Sequence, residues 1–434
     1  MAFESFDQAI QYMNSFMNLE RSTDRYSEKT YRLDRVRKML EMLGNPQNSY
    51  RTIHVAGSKG KGSTAAFVAN AIQALGYKTG LYMSPHVSDY RERFTLCGSF
   101  VEDSVLIRTA DEMKAGISDI EDPTTFELYT VFAFLLFKNC GCDWAVIETG
   151  MGGRLDATNV ILPQACILTP VELEHTKILG DTIEKIAIEK SKIIKHKVPV
   201  FVSFQKDEAM KVFKAEASDC NSSIYTLEDE LEKITTRCTG KGQLASLQYK
   251  DGFKAEMCLE MPGDAQACNA ALALLVIRKL GLYSKGVTEK ALEHTKLPGR
   301  MEKIPYKGRY FYIDGAHTVN SIDLLMRSWK ELGNDRKGIC IFGCVEGKKD
   351  SQMLTEILPC FRKLVISRPG TFKKSNPSAL YDTAKTVSED TEVVLREEAR
   401  DAVEYALENS EEGELILVCG SFYLAGDIKE VLCH

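Results

Sequence analysis

The chain has 434 residues, 44% hydrophobic and 27% charged, proportions that exclude large-scale disorder and fit a globular protein long enough for two domains of roughly 150 to 300 residues. A formal net charge of -6 excludes a general nucleic-acid or membrane-surface binder, so any anionic ligand has to be held by a local basic cleft.

The first residues carry neither the basic nor the apolar segment of a signal peptide. Leu33, Val36, Leu40 and Leu43 recur at helical spacing and stop at Gly44-Asn45-Pro46, predicting one or two helices that lead into a strand. That strand, Thr52 to Ala56, runs into a glycine-rich turn and an alanine-rich helix, Thr64 to Leu75, closed by Gly76. Strand-length apolar runs follow at Thr79 to Met83, Trp144 to Glu148, Cys166 to Thr169 and Val198 to Val202, with helical patterns between several of them. The run Val131 to Phe137 is too short to cross a bilayer, and a cytoplasmic location is expected. Alternating strands and helices imply a mostly parallel sheet covered on both faces.

From about Tyr225 to Met261, short alternating segments with Gly240, Gly242 and Gly252 predict a small antiparallel region, and a helix from Ala265 to Leu280 comes next. Beyond Leu297-Pro298-Gly299-Arg300 a second series begins. It has strands at Tyr310 to Ile313, Gly338 to Phe342, Lys363 to Ser367 and Leu415 to Val418, and helices at Ser321 to Leu332 and Ala399 to Asn409. The expected division is residues 1–296 and 297–434. The thirteen cysteines are scattered, and neither Cys140 with Cys142 nor Cys340 with Cys344 has a second Cys/His pair at zinc spacing, so reduced core thiols are expected.

Gly57-Ser58-Lys59-Gly60-Lys61-Gly62-Ser63-Thr64 lies between a predicted strand and a predicted helix, the setting of a phosphate-cradling loop. Glycines let backbone N–H groups approach phosphate oxygens, and Lys61 adds a point charge. Gly57 stands only three residues before Gly60, off the strict spacing of the general motif, and a plain tight turn is the alternative.

The form G-S-K-G-K-G-S-T resembles the loop of the folylpolyglutamate synthase and dihydrofolate synthase family, within the Mur ligase superfamily. The resemblance continues in order through Ser84-Pro85-His86, Glu92-Arg93-Phe94, Thr124-Thr125-Phe126-Glu127 and Glu148-Thr149-Gly150-Met151-Gly152-Gly153-Arg154-Leu155-Asp156-Ala157-Thr158-Asn159. It runs on through Glu189-Lys190, Pro298-Gly299-Arg300-Met301-Glu302, Asp314-Gly315-Ala316-His317 and Gly420-Ser421-Phe422-Tyr423-Leu424. It implies an α/β fold in which a P-loop-type ATPase domain with a mostly parallel sheet precedes a smaller Rossmann-like domain that binds glutamate. It also implies a monomeric enzyme in which ATP phosphorylates a substrate carboxylate and the amine of L-glutamate attacks the acyl phosphate.

On the same resemblance, two Mg2+ ions are implied, with Ser84, Glu148 and His175 as ligands and Lys190 as the lysine that is carbamylated in the family. Lys61, Lys190 and His175 are the implied catalytic set. Asn269, Arg300, Asp314 and His317 join Gly57 to Thr64 in binding ATP, with Gln266 a neighbour. Thr124, Thr125, Phe126, Glu127, Arg154, Leu155 and Asp156 line the pocket for folate or dihydropteroate. Read singly, Ser84 is as well a turn former, Glu148 a strand-end surface charge, His175 a satisfied polar residue, Phe126 a core residue and Lys373-Lys374 a solvated loop.

The chain departs from the family pattern at Glu174, where Asp is common, at Thr169-Pro170-Val171-Glu172, at Ser191-Lys192, at Ala265, at Leu297 and at Thr318-Val319. These sites touch loops rather than the metal or phosphate groups. A Mur-type ligase with a non-folate acceptor and a non-catalytic nucleotide-binding regulator are the competing readings.

Overall fold

The computed structural model describes residues 2–18, 32–239, 242–332, 338–370, 374–388 and 390–433. Within them the strands are β1 Arg51–Ala56, β2 Thr79–Tyr82, β3 Phe94–Leu96, β4 Trp144–Glu148, β5 Ala165–Leu168, β6 Val200–Val202, β7 Ile224–Thr226, β8 Leu231–Thr239, β9 Gly242–Tyr249 and β10 Lys254–Leu259. They continue with β11 Glu302–Tyr306, β12 Arg309–Ile313, β13 Gly338–Phe342, β14 Phe361–Ile366, β15 Glu392–Leu395 and β16 Leu415–Cys419. The first seven form one sheet in the order β3-β2-β4-β1-β5-β6-β7, parallel except for the β2–β3 pair. Its central strands are buried along almost their whole length because both faces are covered.

One face carries the alanine-rich helix Lys61–Ala74, whose small side chains let the helix Asp264–Lys279 pack against it. The antiparallel sheet β10-β9-β8 adds Ala245, Leu247, Tyr249 and Met257 to that core. On the opposite face lies the helix Thr125–Asn139, buried nearly all round and flanked by Phe6–Asn14 and Leu33–Met42. A third sheet, in the order β11-β12-β16-β13-β14-β15, has its own two cores.

Register decides where chemistry can happen. Val55 stands opposite Glu148, Ala56 opposite Leu168 and Tyr82 opposite Ile147. The turn after β1, the end of β4, the segment after β2 and the segment after β5 therefore leave the sheet together at its carboxyl edge, where open α/β sheets bind ligands.

Several sequence expectations are corrected. The helix after the glycine turn starts at Lys61, three residues before Thr64, with Gly60 as its left-handed N-cap. Tyr225 belongs to the edge strand β7 of the first sheet, and the antiparallel region begins only at Leu231. Strand β11 was not anticipated because Pro305 argues against a central strand, but β11 is an edge strand, where proline is tolerated. The short β3 and β15 and the helices Asp350–Ile357, Pro377–Val387 and Phe422–Cys433 also escaped the periodicity reading. Gly240 and Lys373 lie outside the described residues. No described helix is long and apolar enough to cross a membrane. All thirteen cysteines are free, and no three described His, Cys, Asp or Glu side chains converge as a metal centre.

Candidate active site

The turn from Gly57 to Gly60 is tied down by hydrogen bonds to backbone carbonyls of the segment after β5. Ser58 N and Lys59 N donate to Pro170 O at 2.8 and 3.2 Å, and Ser58 Oγ donates to Glu172 O. A Cβ on Gly57 would lie 1.9 Å from Thr169 Oγ1, and one on Gly60, at φ +81°, would lie 2.5 Å from Asn269 Oδ1. Glycine is therefore required at both positions. The second contact also brings Asn269 from the helix Asp264–Lys279 onto the turn, with its Nδ2 donating to Gln266 Oε1 at 3.1 Å.

Glu148 ends β4 in a buried position, so it is not a surface charge. Its Oε2 accepts Ser84 N at 3.1 Å, and Lys61 Nζ stands 3.9 Å from its Oε1. Burial pushes the Glu148 carboxyl up, with Lys61 opposing. The carboxylate thus retains unused lone pairs beside a serine, and the buried hydroxyls of Thr64, in the helix of Lys61, and Thr149, next to Glu148, have no hydrogen-bond partner among the described residues. A hydroxyl and carboxylate donor set of this kind fits a hard divalent cation.

Lys190 is 1% exposed, and its Nζ donates to Gly57 O at 2.8 Å and to Glu174 Oε1 at 2.9 Å. Burial pushes the lysine down toward its neutral form, while Glu174 opposes. Burial also pushes the Glu174 carboxyl up, but Lys190 and then Lys61 outweigh it and hold it down at about 2. As an ammonium, Lys190 has no lone pair to offer a cation and repels it. His175 is exposed, at φ 47°, and caps the short helix Thr176–Leu179 beside Glu174.

The third sheet supplies the far wall. Arg300 lies over the Phe422 ring at 4.6 Å and is close enough to act electrostatically on Lys59 and Glu148. Asp314 accepts Met301 N at 2.9 Å and Ala316 N at 2.8 Å, and burial raises its carboxyl with Arg300 opposing. His317 Nδ1 donates to Gly315 O at 2.7 Å, and burial, then Lys59 and Lys348, push the ring down to about 3, so it is neutral with Nε2 free to accept. Arg300 and His317 thus stand within electrostatic reach of the turn that begins at Gly57, Asp314 lies beside Arg300, and Asn269 contacts the turn at Gly60.

The expected acceptor residues fare differently. Thr124 and Glu127 form the capping box of the helix Thr125–Asn139, and Glu127 also takes a bidentate ion pair from Arg35, both contacts at 2.9 Å. Thr125 Oγ1 donates to Phe16 O. Asp156 accepts Met151 N at 2.9 Å and the Thr158 hydroxyl at 2.5 Å, and Thr158 in turn meets the buried His54 Nε2 at 2.8 Å. Arg154 pairs with Glu189. Phe126, Arg154 and Leu155 remain partly exposed, and Phe126 lies against Gly150, where a Cβ would be 2.4 Å from its Cζ. Sequence reasoning missed the partners Arg35, His54 and Thr158 and the backbone of Thr169 and Pro170. Glu174 and the segment Thr169-Pro170-Val171-Glu172 gave a signal, as departures from the pattern.

Comparison with known proteins bears on the fold and the family. Residues 55–277 match the Mur ligase middle domain and residues 299–422 the Mur ligase, glutamate ligase domain. A dihydrofolate synthase/folylpolyglutamate synthase of Bacillus subtilis is 28% identical over 411 residues, covering 92% of this chain and 94% of that protein. The crystal structure of a folylpolyglutamate synthase from Thermotoga maritima, 30% identical, superposes with a TM-score of 0.83 over 99% of this chain and 96% of that one. The Mycobacterium tuberculosis folylpolyglutamate synthase complexed with ADP, 26% identical, gives 0.88 over 99% and 98%. The chain belongs to the Mur ligase family and, within it, to the folylpolyglutamate synthase and dihydrofolate synthase group of ATP-dependent ligases.

Proposed function

We propose that the chain joins L-glutamate to the carboxylate of a folate, dihydropteroate or the glutamate tail of a reduced folate or both, with ATP converted to ADP and phosphate. The observation that carries this reading is the convergence of the glycine turn, Lys61 and the buried Glu148 with Arg300 and His317 from the third sheet. Two substrates and a triphosphate react only when held in line, and groups brought together from two sheets can supply that constraint.

In the proposed mechanism the amides of Gly57 to Thr64 and the Lys61 ammonium hold the ATP phosphates, Asn269 fixes the turn at Gly60, and Arg300 meets the phosphoryl group in transit. The acceptor carboxylate takes that group to become an acyl phosphate, the glutamate amine attacks its carbonyl carbon, and phosphate leaves as the amide forms. Ser84 and Glu148 would hold Mg2+, which when bound neutralises triphosphate charge. A carbamylated Lys190, with His175, would hold a second ion; its burial, which favours the neutral amine that carbamylation needs, supports this, and its pairing with Glu174 is what the modification must displace. Phe126, Arg154 and Leu155, the partly exposed members of the acceptor segments, are proposed to line the pterin. Residues 1–296 are proposed as the ATP and acceptor domain and 297–434 as the glutamate domain, closing about Leu297. The free thiols support a reducing, cytosolic setting.

The test is phosphate release from ATP with glutamate present, comparing dihydropteroate, tetrahydrofolate and no acceptor. Release that depends on either folate is expected. Release with neither would overturn the folate reading and point to another acceptor or to a protein that only binds nucleotide.

A further inference from the structure

Two carboxylates of the motif segments, Glu92 and Glu302, take no part in the mechanism above, yet both meet the same ammonium. Lys429, in the helix Phe422–Cys433, places Nζ 2.9 Å from Glu302 Oε1 and 3.9 Å from Glu92 Oε1. The three side chains are 16%, 24% and 8% exposed, respectively. Resting on the proposed function, we propose that Lys429 is a positioning residue for the ligase reaction. It clamps the corner from Ser84 to Glu92 onto the third sheet, so that Ser84 and Glu148 on one side and Arg300 on the other address the same nucleotide.

Each carboxylate divides its oxygens between its own loop and the lysine. Glu92 Oε2 accepts Val87 N at 2.6 Å, and its Oε1 accepts the Ser88 hydroxyl at 2.9 Å, which shapes the corner that begins at Ser84 and leads back to Glu148. Glu302 Oε2 accepts Gly299 N at 2.9 Å, which shapes the turn that presents Arg300. The backbone makes an independent contact at the same place. One turn before Lys429, a Cβ on Gly426 would fall 2.2 Å from Val87 O, so the corner rests directly on the helix. An exposed ion pair would contribute little, but an ammonium set between two mostly buried carboxylates differs in kind, because removing it leaves two like charges facing each other without compensation.

The test uses Lys429→Met and Gly426→Ala, the second of which disturbs the docking with every charge in place. In both variants kcat for glutamate- and folate-dependent phosphate release should fall by roughly 10- to 100-fold, as small misplacements of reacting groups do. ADP affinity, measured by calorimetry, should fall about tenfold less than kcat. Adding Glu92→Gln to Lys429→Met should recover part of the loss. An unchanged kcat in either variant overturns the proposal, as does a parallel loss of kcat, ADP affinity and melting temperature, which a merely structural role would give. If Lys429→Met does not fold, Gly426→Ala decides. If the wild type itself releases no phosphate with any folate acceptor, the proposed function fails separately. The clamp is then read from small-angle scattering of the ADP-bound proteins, where a larger radius of gyration in Gly426→Ala supports it and equal radii overturn it.

Discussion

The phosphate turn and the acceptor segments both carry motif residues, but they use them in opposite ways. At the turn, backbone contacts from Pro170 and Glu172 do the structural work, leaving Lys61 and Glu148 3.9 Å apart, each with capacity to spare. In the acceptor segments, Thr124, Thr125, Glu127 and Asp156 spend their polar atoms on a helix cap, on Phe16, on Arg35 and on their own loop. A shared motif thus marks a place in the fold; whether its side chain touches ligand depends on what else satisfies it.

The sharpest way to break this comparison is Lys61→Ala. It should lower folate-dependent phosphate release by on the order of 1,000-fold with the melting temperature close to wild type; normal turnover would remove the phosphate-loop assignment. Arg35→Met should do the reverse. It strands Glu127 as a buried unpaired charge, costing about 3 kcal/mol or more in urea unfolding, while kcat per folded molecule stays near wild type. A matching loss of folate affinity would return Glu127 to the ligand.

Phe126→Ala tests the partly exposed member of the same segment. A ring against pterin predicts a roughly tenfold rise in KM for the folate, about 1.4 kcal/mol, with KM for ATP unchanged; a loss of stability alone would make it core.

The smallest expected effect concerns His54, which supports Asp156 through Thr158. Burial, then Lys195, push its ring down from 6.5 to about 3. Below the ordinary value the unfolded chain takes up a proton that the folded chain refuses, so stability falls with pH across that window by about 1.4 kcal/mol per unit. His54→Gln should flatten this slope in urea unfolding at about pH 6 and about pH 4. Parallel slopes for the two proteins would show that His54 is not held neutral.

Much of the scaffold was legible. Trp144 to Glu148 and Gly338 to Phe342 read as strands with the bounds they have, because continuous apolar runs of that length belong in covered parallel sheets. The turn from Gly57 to Gly60 was legible because its glycines stand between a strand and a helix, and the structure supplies the reason for them, Thr169 against Gly57 and Asn269 against Gly60. Edge elements such as β11 were not, since Pro305 and alternating exposure there hide a strand whose partner lies on one side only.

The sequence by itself determined the family, the order of the elements and the candidate nucleotide residues, since these depend on local spacing and on a long run of specific residue types. Only the tertiary structure decided that Glu174 answers Lys190, that Arg35 takes Glu127, that His54 reaches Asp156 through Thr158 and that Lys429 joins Glu92 to Glu302. Apart from Asp156 and Thr158, which are neighbours in one loop, these partners stand far apart along the chain, at no helical or strand interval from one another. They meet because a charge or polar atom removed from water has to be compensated by whatever group the fold brings near, a demand that local spacing does not record.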